Sequence, residues 1–283
     1  MEAVSSKKPN KFKQFFINLK NFHFSRKHFV IPYVVLLAFF VIVPLFIMIV
    51  RSFISYDGSF TFNNYAAFFG VAGNWIIMGR SFYTAALVTV VCLLLAYPVA
   101  YILSNPKFNR STVIIFAFAL PMWVNILLRT FALQNLFNLF GMQMNYLTVV
   151  IGLVYDFFPF MLLPLYTSLS AIDKSYTEAG ADLGAGAVRN FTKVTLPLSV
   201  PGIMSGGILI FMATVSNFAI SDILGNDDTR MFGNIIDFFF RSGRTENIGA
   251  AFSTILLVII VASMLLTSRL THKRSVSAKG GRL

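Results

Sequence analysis

Charge is scarce in this sequence. Only 12% of its 283 residues are Asp, Glu, Lys or Arg, against 57% hydrophobic residues, and the mean hydropathy is +0.73. Soluble domains carry about 25% charged residues, so a globular domain in water is excluded as the main architecture. One cysteine, Cys92, sits inside an apolar run, which rules out a disulfide framework or a cysteine-rich metal site and fits a buried, inert thiol. There is no G-x-x-x-x-G-K-[ST] phosphate loop and no H-E-x-x-H zinc pattern. His23, His28 and His272 all lie at the margins of apolar runs, where they read as flanking side chains rather than metal ligands. Gly184-x-Gly186 lacks the third glycine and the preceding strand of a dinucleotide site. No small-residue cleavage site follows a short apolar core near the start, so no cleavable signal is expected. No catalytic residue, metal site or cofactor site is expected, and the chain is not read as an enzyme.

What the sequence does contain is long apolar runs. Six are long enough to cross a hydrocarbon core of about 30 Å as helices of around twenty residues. They are Phe29–Val50, Phe82–Ser104, Thr112–Leu133, Tyr146–Ala171, Gly202–Leu224 and Ile248–Leu270. The fold class is therefore an all-α membrane protein with six transmembrane helices. Pro44, Pro98, Pro121, Pro159 and Pro164 fall inside or near the ends of these runs, a pattern suited to kinked helices lining a passage.

The net charge of +12 is explained by topology rather than by nucleic acid. Lys7, Lys8, Lys11, Lys13, Lys20, Arg26 and Lys27 precede the first run, and Lys107 and Arg110 join the second to the third. Lys174, Arg189 and Lys193 join the fourth to the fifth, and Arg269, Lys273, Arg274, Lys279 and Arg282 lie in the tail. Six crossings put all of these on one side. Arg51, Arg80, Arg230, Arg241 and Arg244 fall on the other, with Arg129 near a span end. The positive-inside rule then makes both termini cytoplasmic. Residues 1–28 form a basic N-terminal segment, in which Phe12, Phe15, Phe16, Leu19 and Phe22 recur at helical spacing. An interfacial helix is expected there, with a disordered basic lead-in as the alternative. A six-span domain follows over 29–271, then a basic cytoplasmic tail over 272–283.

The polar stretch 173–200, DKSYTEAGADLGAGAVRNFTKVTLPLSV, interrupts the apolar chain between two spans and must be a cytoplasmic loop. A short helix is expected in it, with Glu178 and Asp182 near its N-terminus, where the helix dipole favours acids. Small residues at 179, 180, 181, 185 and 187 allow a partner surface to approach closely. Gly184 and Gly186 allow the backbone to turn, and Pro197 and Pro201 can start the next span.

At these residues the chain resembles the permease subunits of ABC importers, whose EAA loop runs E-A-A, three residues, G, nine residues, I-x-L-P. Here the sequence gives Glu178-Ala179-Gly180, then Gly184, then Val194-Thr195-Leu196-Pro197. Further stretches resemble the PotB-type permeases of spermidine/putrescine importers: Leu120-Pro121-Met122-Trp123-Val124-Asn125 through Arg129-Thr130-Phe131, Ile151–Tyr155 through Leu163–Tyr166, Ile220–Gly225, and Phe232-Gly233-Asn234. Asp156 stands where relatives have an apolar residue, and Asn226 where they have a glycine.

The resemblance implies the type I importer-permease fold in a bacterial inner membrane, as half of a translocation path. It implies a second, PotC-like permease subunit, two copies of a PotA-like ATPase that hold the ATP and Mg, and a PotD-like extracytoplasmic polyamine-binding protein. Glu178, Ala179, Gly180, Asp182, Leu183, Gly184, Leu196 and Pro197 become the residues that couple to the ATPase. Intramembrane polar and aromatic residues are the candidates for the substrate path: Trp123, Asn125, Arg129, Tyr155, Asp156, Asn217 and Asp222. For Asp156 and Asp222 a structural ion pair with Arg129 or a helix-capping role competes with contact to substrate, and for Trp123 and Tyr155 packing or interfacial anchoring does. A permease for another small solute (an amino-acid-like compound, thiamine or ferric iron) shares the EAA loop. A self-contained secondary transporter would need inverted repeats, and a receptor or anchor would not need prolines and polar groups within its spans.

Overall fold

The computed structural model describes residues 30–105 and 113–279. The expected interfacial helix and the Lys107–Arg110 connection lie outside the described residues. The chain divides into two compact units, Met1–Met48 and Ile49–Leu283. Helix α1 begins in the first unit at Val30–Leu37, widens into a π-turn at Ala38–Ile42, and continues as Val43–Ser52 across the boundary.

Every regular element among the described residues of the second unit is a helix, and Ile54 and Phe60 form an isolated β-bridge. Its elements are α2 (Asn63–Phe69), α3 (Ala72–Ser104), α4 (Val113–Ala119), a 3-10 turn at Leu120–Trp123, α5 (Ile126–Leu139) and α6 (Tyr146–Ser170). Then come α7 (Lys174–Asp182), α8 (Ala187–Asn190), a π-turn at Phe191–Thr195, α9 (Leu196–Val215), α10 (Ala219–Leu224), α11 (Phe232–Arg241) and α12 (Glu246–Lys279). Among the described residues of the whole chain, α1 included, five helices are long and apolar enough to span, or six if the bent pair α4–α5 counts as one.

The apolar runs located the spans, but several bounds move. The second starts ten residues before its expected Phe82, and the sixth runs from Glu246 to Lys279. The third is not one rod. It bends by 95° between Ile114–Trp123 and Ile126–Leu139, because Pro121 has no N–H to give and Val124 adopts an extended conformation. The fifth expected span, Gly202–Leu224, is shifted: the helix occupies Ala187–Val215 without a break and stops at Ser216, leaving Ala219–Leu224 as a separate helix. Residues 187–200 are therefore helix, not loop. Both π-turns end two residues before a proline, at Ile42 before Pro44 and at Thr195 before Pro197. The residue before each proline bonds five residues back, Val43 N–H to Ala38 O and Leu196 N–H to Phe191 O, so the turn is widened just ahead of the ring. Pro98, Pro159, Pro164 and Pro201 lie inside continuous helices, so Pro121 alone among these five marks a sharp break.

The core is made by α3, α6 and α9 packing on one another. On α3, Val88, Cys92, Ala96 and Ala100 recur every four residues and are fully buried, so one face of small side chains meets Leu153, Met161, Leu162 and Leu165 of α6. Tyr97 and Ser199 share a hydrogen bond at 2.9 Å between α3 and α9, and Thr84 and Tyr146 one at 3.0 Å between α3 and α6. A second cluster stacks Phe68, Phe232 and Phe252, joining α2, α11 and α12 edge-to-face and face-to-face.

The contact of α9 with α6 depends on Gly202 and Gly206, four residues apart. A Cβ at Gly202 would lie 2.5 Å from Ser168 Cβ and 2.8 Å from the Pro164 carbonyl, and one at Gly206 would lie 2.7 Å from Met161 Sδ. Lipid gives helices no hydrophobic reason to associate, so close backbone approach supplies the dispersion energy instead. Gly202→Val is expected to destabilise the protein by about 1–3 kcal/mol. Gly207→Ala should be neutral, since its Cβ would meet only Thr89 Cγ2 at 3.7 Å. Thermal unfolding of the detergent-purified variants measures both.

Candidate functional site

Two groupings carry chemistry: the helix α7 between the fourth and fifth spans, and a buried polar cluster at the bend of the third.

Helix α7 starts on Asp173, whose Oδ1 accepts from Ser175 N at 2.9 Å. That hydrogen bond holds the Asp173 carboxyl below the usual carboxylate range. The cap is therefore complete at neutral pH and is lost only as pH falls through the lowered value. The acids expected at the start of the helix are elsewhere: Glu178 sits mid-helix and Asp182 is the last helical residue, since the helix begins at Lys174. At the other end Gly184 N–H bonds Ala181 O at 2.9 Å and Ala185 N–H bonds Gly180 O at 3.0 Å. This is the Schellman pattern, with Gly184 at φ +78° as the left-handed residue. The glycine four residues after Gly180 thus has a backbone reason. Gly186 is extended rather than left-handed and leads directly into α8.

Glu178, Ala179, Asp182 and Leu183 are exposed, whereas Gly180 is half-buried against the chain's own Asn190. Leu196 and Pro197 open the α-helical part of the fifth span behind the π-turn. A cavity of about 350 Å³ lies behind α7, lined among others by Tyr101, Ser104, Ser170, Asp173, Thr177 and Glu178.

The second grouping follows the bend. Trp123, at the corner, is 89% exposed. Asn125 caps α5, its Oδ1 accepting from Leu127 N at 2.8 Å. One turn on, Arg129 is buried inside α5, not at a span end as its position in the sequence suggested. Its Nη2 lies 3.0 Å from Asp156 Oδ1, with the two side chains 8% and 1% exposed. Thr130 Oγ1 donates to Asp156 Oδ2 at 3.2 Å. The guanidinium also lies 5.9 Å from the ring of Tyr155, which is 45% exposed. The ion contact is close but off the hydrogen-bond direction, and Arg129 Nε and Nη1 have no partner. Arg129, Tyr155 and Asp156 thus come together, while Asn217 and Asp222 are held elsewhere. Asn217 Oδ1 accepts from Ile220 N at 3.1 Å at the start of α10, and Asp222 is exposed in the first turn of that helix.

Sequence reading passed over the residues that hold α10. Gln134 Nε2 donates to Ile223 O at 2.6 Å and Thr148 Oγ1 to Leu224 O at 2.7 Å, so α5 and α6 cap its C-terminal end. Asn234 Nδ2 donates to Phe218 O at 3.0 Å, and its Oδ1 accepts from Ser221 Oγ at 2.6 Å. A lone Gln, Thr or Asn beside an apolar run was the available signal. Asn226 lines an open cavity of about 470 Å³ with Arg80, Tyr83, Tyr146, Asp228 and Thr229. Among the described residues no group of three or more His, Cys, Asp or Glu side chains gathers to hold a metal.

This architecture defines a multi-pass membrane permease subunit, and the chain belongs to the family of binding-protein-dependent transport system inner membrane components, matched over residues 93–275. More particularly, it is 31% identical over 265 residues to the spermidine/putrescine transport system permease protein PotB of Escherichia coli strain K12, covering 84% of this chain and 96% of that one. It is 30% identical over 264 residues to the protein of the same name from Haemophilus influenzae, covering 84% and 92%. The fold matches a chain in the crystal structure of a bacterial alginate ABC transporter, with a TM-score of 0.68 at 14% identity over 87% of this chain and 93% of that one.

Removing one member of the Arg129–Asp156 pair strands the other in a low-dielectric interior. Asp156→Ala or Arg129→Met alone is expected to cost about 3–5 kcal/mol, and Arg129→Met with Asp156→Leu much less. The yield of monodisperse protein extracted from membranes, with its thermal midpoint, is the measurement.

Proposed function

We propose that this chain is one of two transmembrane subunits of an ATP-driven polyamine importer, forming half of the translocation path and coupling to a separate ATPase through α7. The observation that carries the coupling is that the long spacing from Glu178 to Pro197 folds as a capped helix with exposed acids, seated on the end of a continuous helix that becomes the fifth span. The polyamine assignment is supported by the 84% coverage of this chain by PotB proteins. Both termini and α7 are assigned to the cytoplasmic face of a bacterial inner membrane by the distribution of Lys and Arg. The partners are a PotC-like permease subunit, two PotA-like ATPase copies that bind ATP and Mg, and a PotD-like binding protein on the outer side. This chain carries no cofactor. The domain scheme is a basic segment over 1–28, the permease domain over 29–271 with its coupling segment at 173–200, helical from Ala187 on, and a basic tail over 272–283.

Mechanistically, Glu178, Ala179, Asp182 and Leu183 meet the ATPase surface, and closure of the ATPase dimer displaces α7. A rigid element whose position differs between two states is the requirement. On the membrane side a flexible polycation is guided by carboxylates and aromatic faces. Asp222, Trp123 and Tyr155 are exposed for that role, whereas Asp156 is engaged by Arg129 and forms part of the wall.

Glu178→Arg, and Gly184→Trp at its left-handed position, should leave the protein in the membrane and abolish uptake by the assembled importer. Full uptake by both would end the docking reading. Asp222→Asn should weaken the apparent affinity for spermidine by up to about fivefold, the range of a solvent-reached charge, without loss of ATPase from the complex. Vesicle uptake with labelled spermidine, putrescine and an unrelated solute in competition measures this. Uptake that only the unrelated solute competes for would point to a permease for another cargo.

A further inference from the structure

Gly180 occupies the third position of the Glu178-Ala179-Gly180 triplet, and a surface role would treat the missing side chain as room for a partner. The structure gives it a different neighbour. A Cβ built on Gly180 would lie 2.9 Å from Asn190 Oδ1, 3.2 Å from its Cγ and 3.3 Å from its Nδ2. All three atoms belong to one amide, and that amide is not free to move aside. Its Nδ2 donates to Thr177 O at 2.6 Å, one turn before Gly180 on α7. Its Oδ1 is buried without a partner, turned toward the bare face of Gly180. The glycine therefore leaves space for Asn190, which grips α7 by one carbonyl and lies flat against the helix.

Asn190 is the last residue of α8, where the chain widens into the π-turn and runs on into the fifth span. The next residue, Phe191, faces another way. Its ring meets Tyr97 at 5.8 Å and Tyr101 at 5.6 Å, both edge-to-face, on the core helix α3. Tyr97 in turn shares its hydroxyl hydrogen bond with Ser199 on α9. Two adjacent residues thus hold α7 on one side and the span bundle on the other. Asn190 has polar reach and Phe191 apolar bulk, and between them no loop intervenes.

We propose that the Gly180–Asn190 contact, continued through Phe191 to Tyr97 and Tyr101, is the joint by which displacement of α7 reaches the spans. This rests on the docking reading of α7 but assigns Gly180 to the chain's own joint instead of the ATPase surface. Asn190 is a positioning residue. It touches neither substrate nor nucleotide, and its loss uncouples the motor from the path without dismantling either.

The test is a double-mutant cycle in the complete reconstituted importer, reading solute moved per ATP hydrolysed, with ATPase retention on purification as a second readout. Asn190→Ala should lower transport per ATP by about fivefold or more, the scale of one buried hydrogen bond, while ATPase stays bound and active. Gly180→Ala should do the same by forcing the amide off Thr177 O. Gly180→Ala with Asn190→Ala should be no worse than Asn190→Ala alone, because the three atoms nearest the new methyl are then gone. Additive losses, an unchanged ratio in Asn190→Ala, or release of ATPase by Gly180→Ala with the ratio intact would each overturn the joint. Should Asn190→Ala assemble poorly, Asn190→Asp keeps the size and removes the N–H donor, and an unchanged ratio there overturns it equally. Glu178→Arg, run alongside, isolates the docking reading: uptake and ATPase binding that survive it discard docking, whatever the cycle shows.

Discussion

A backbone in hydrocarbon has no water to turn to, so every place where a helix stops must find its hydrogen bonds in the protein. In this chain that constraint decides where the polar side chains go. Asn125 restarts the bent third span, Asn145 caps the fourth through Leu147 N and Thr148 N, and Asn217 starts α10. Gln134 and Thr148 close the far end of α10 and Asn234 takes up the carbonyl of Phe218. All five of these amides are thereby engaged with backbone. An amide in an apolar run is first a repair for a broken helix, and its claim to a ligand comes after that.

The same constraint explains how far the sequence could be read. Apolar length finds the spans, because nothing else tolerates lipid, but it is silent on whether a run is straight. Leu120-Pro121-Met122-Trp123 is as apolar as its surroundings, yet the helix turns there by 95°. At the fifth span the error ran the other way. Polar residues from Arg189 to Thr195 suggested loop, but Phe191 packs on Tyr97 and Tyr101 and the helix extends through them. The Glu178-to-Pro197 spacing was legible because it is long and its glycine has a strict backbone demand. The role of Gly180 was not, since only the position of Asn190 distinguishes room for a partner from room for the chain itself.

The ion pair of Arg129 and Asp156 belongs to the same account. Charges inside a membrane domain are costly unless matched, and here a cation one turn past the bend meets an acid on the neighbouring span, with Thr130 on the second carboxylate oxygen. The pair ties the bent third span to the fourth where the backbone is least regular. The pair is formally neutral, while Asp222 stays exposed on the short helix held by Asn217, Gln134, Thr148 and Asn234.

The long helix Ala187–Val215 connects these regions. Over 29 residues it extends roughly 40 Å, enough to reach through the membrane. At Gly202 and Gly206 it packs against α6 so closely that a Cβ would not fit. Its first turn meets α7 through Asn190, and its last leads through Ser216–Phe218 into the helix bearing Asp222. The backbone departs from regular α-helix around Gly184–Gly186 before it, at the π-turn Phe191–Thr195 within it, and at the Ser216–Phe218 break after it. Asn190 and Phe191 lie where that π-turn begins, and the next break along the chain is the junction before the helix that bears the exposed Asp222.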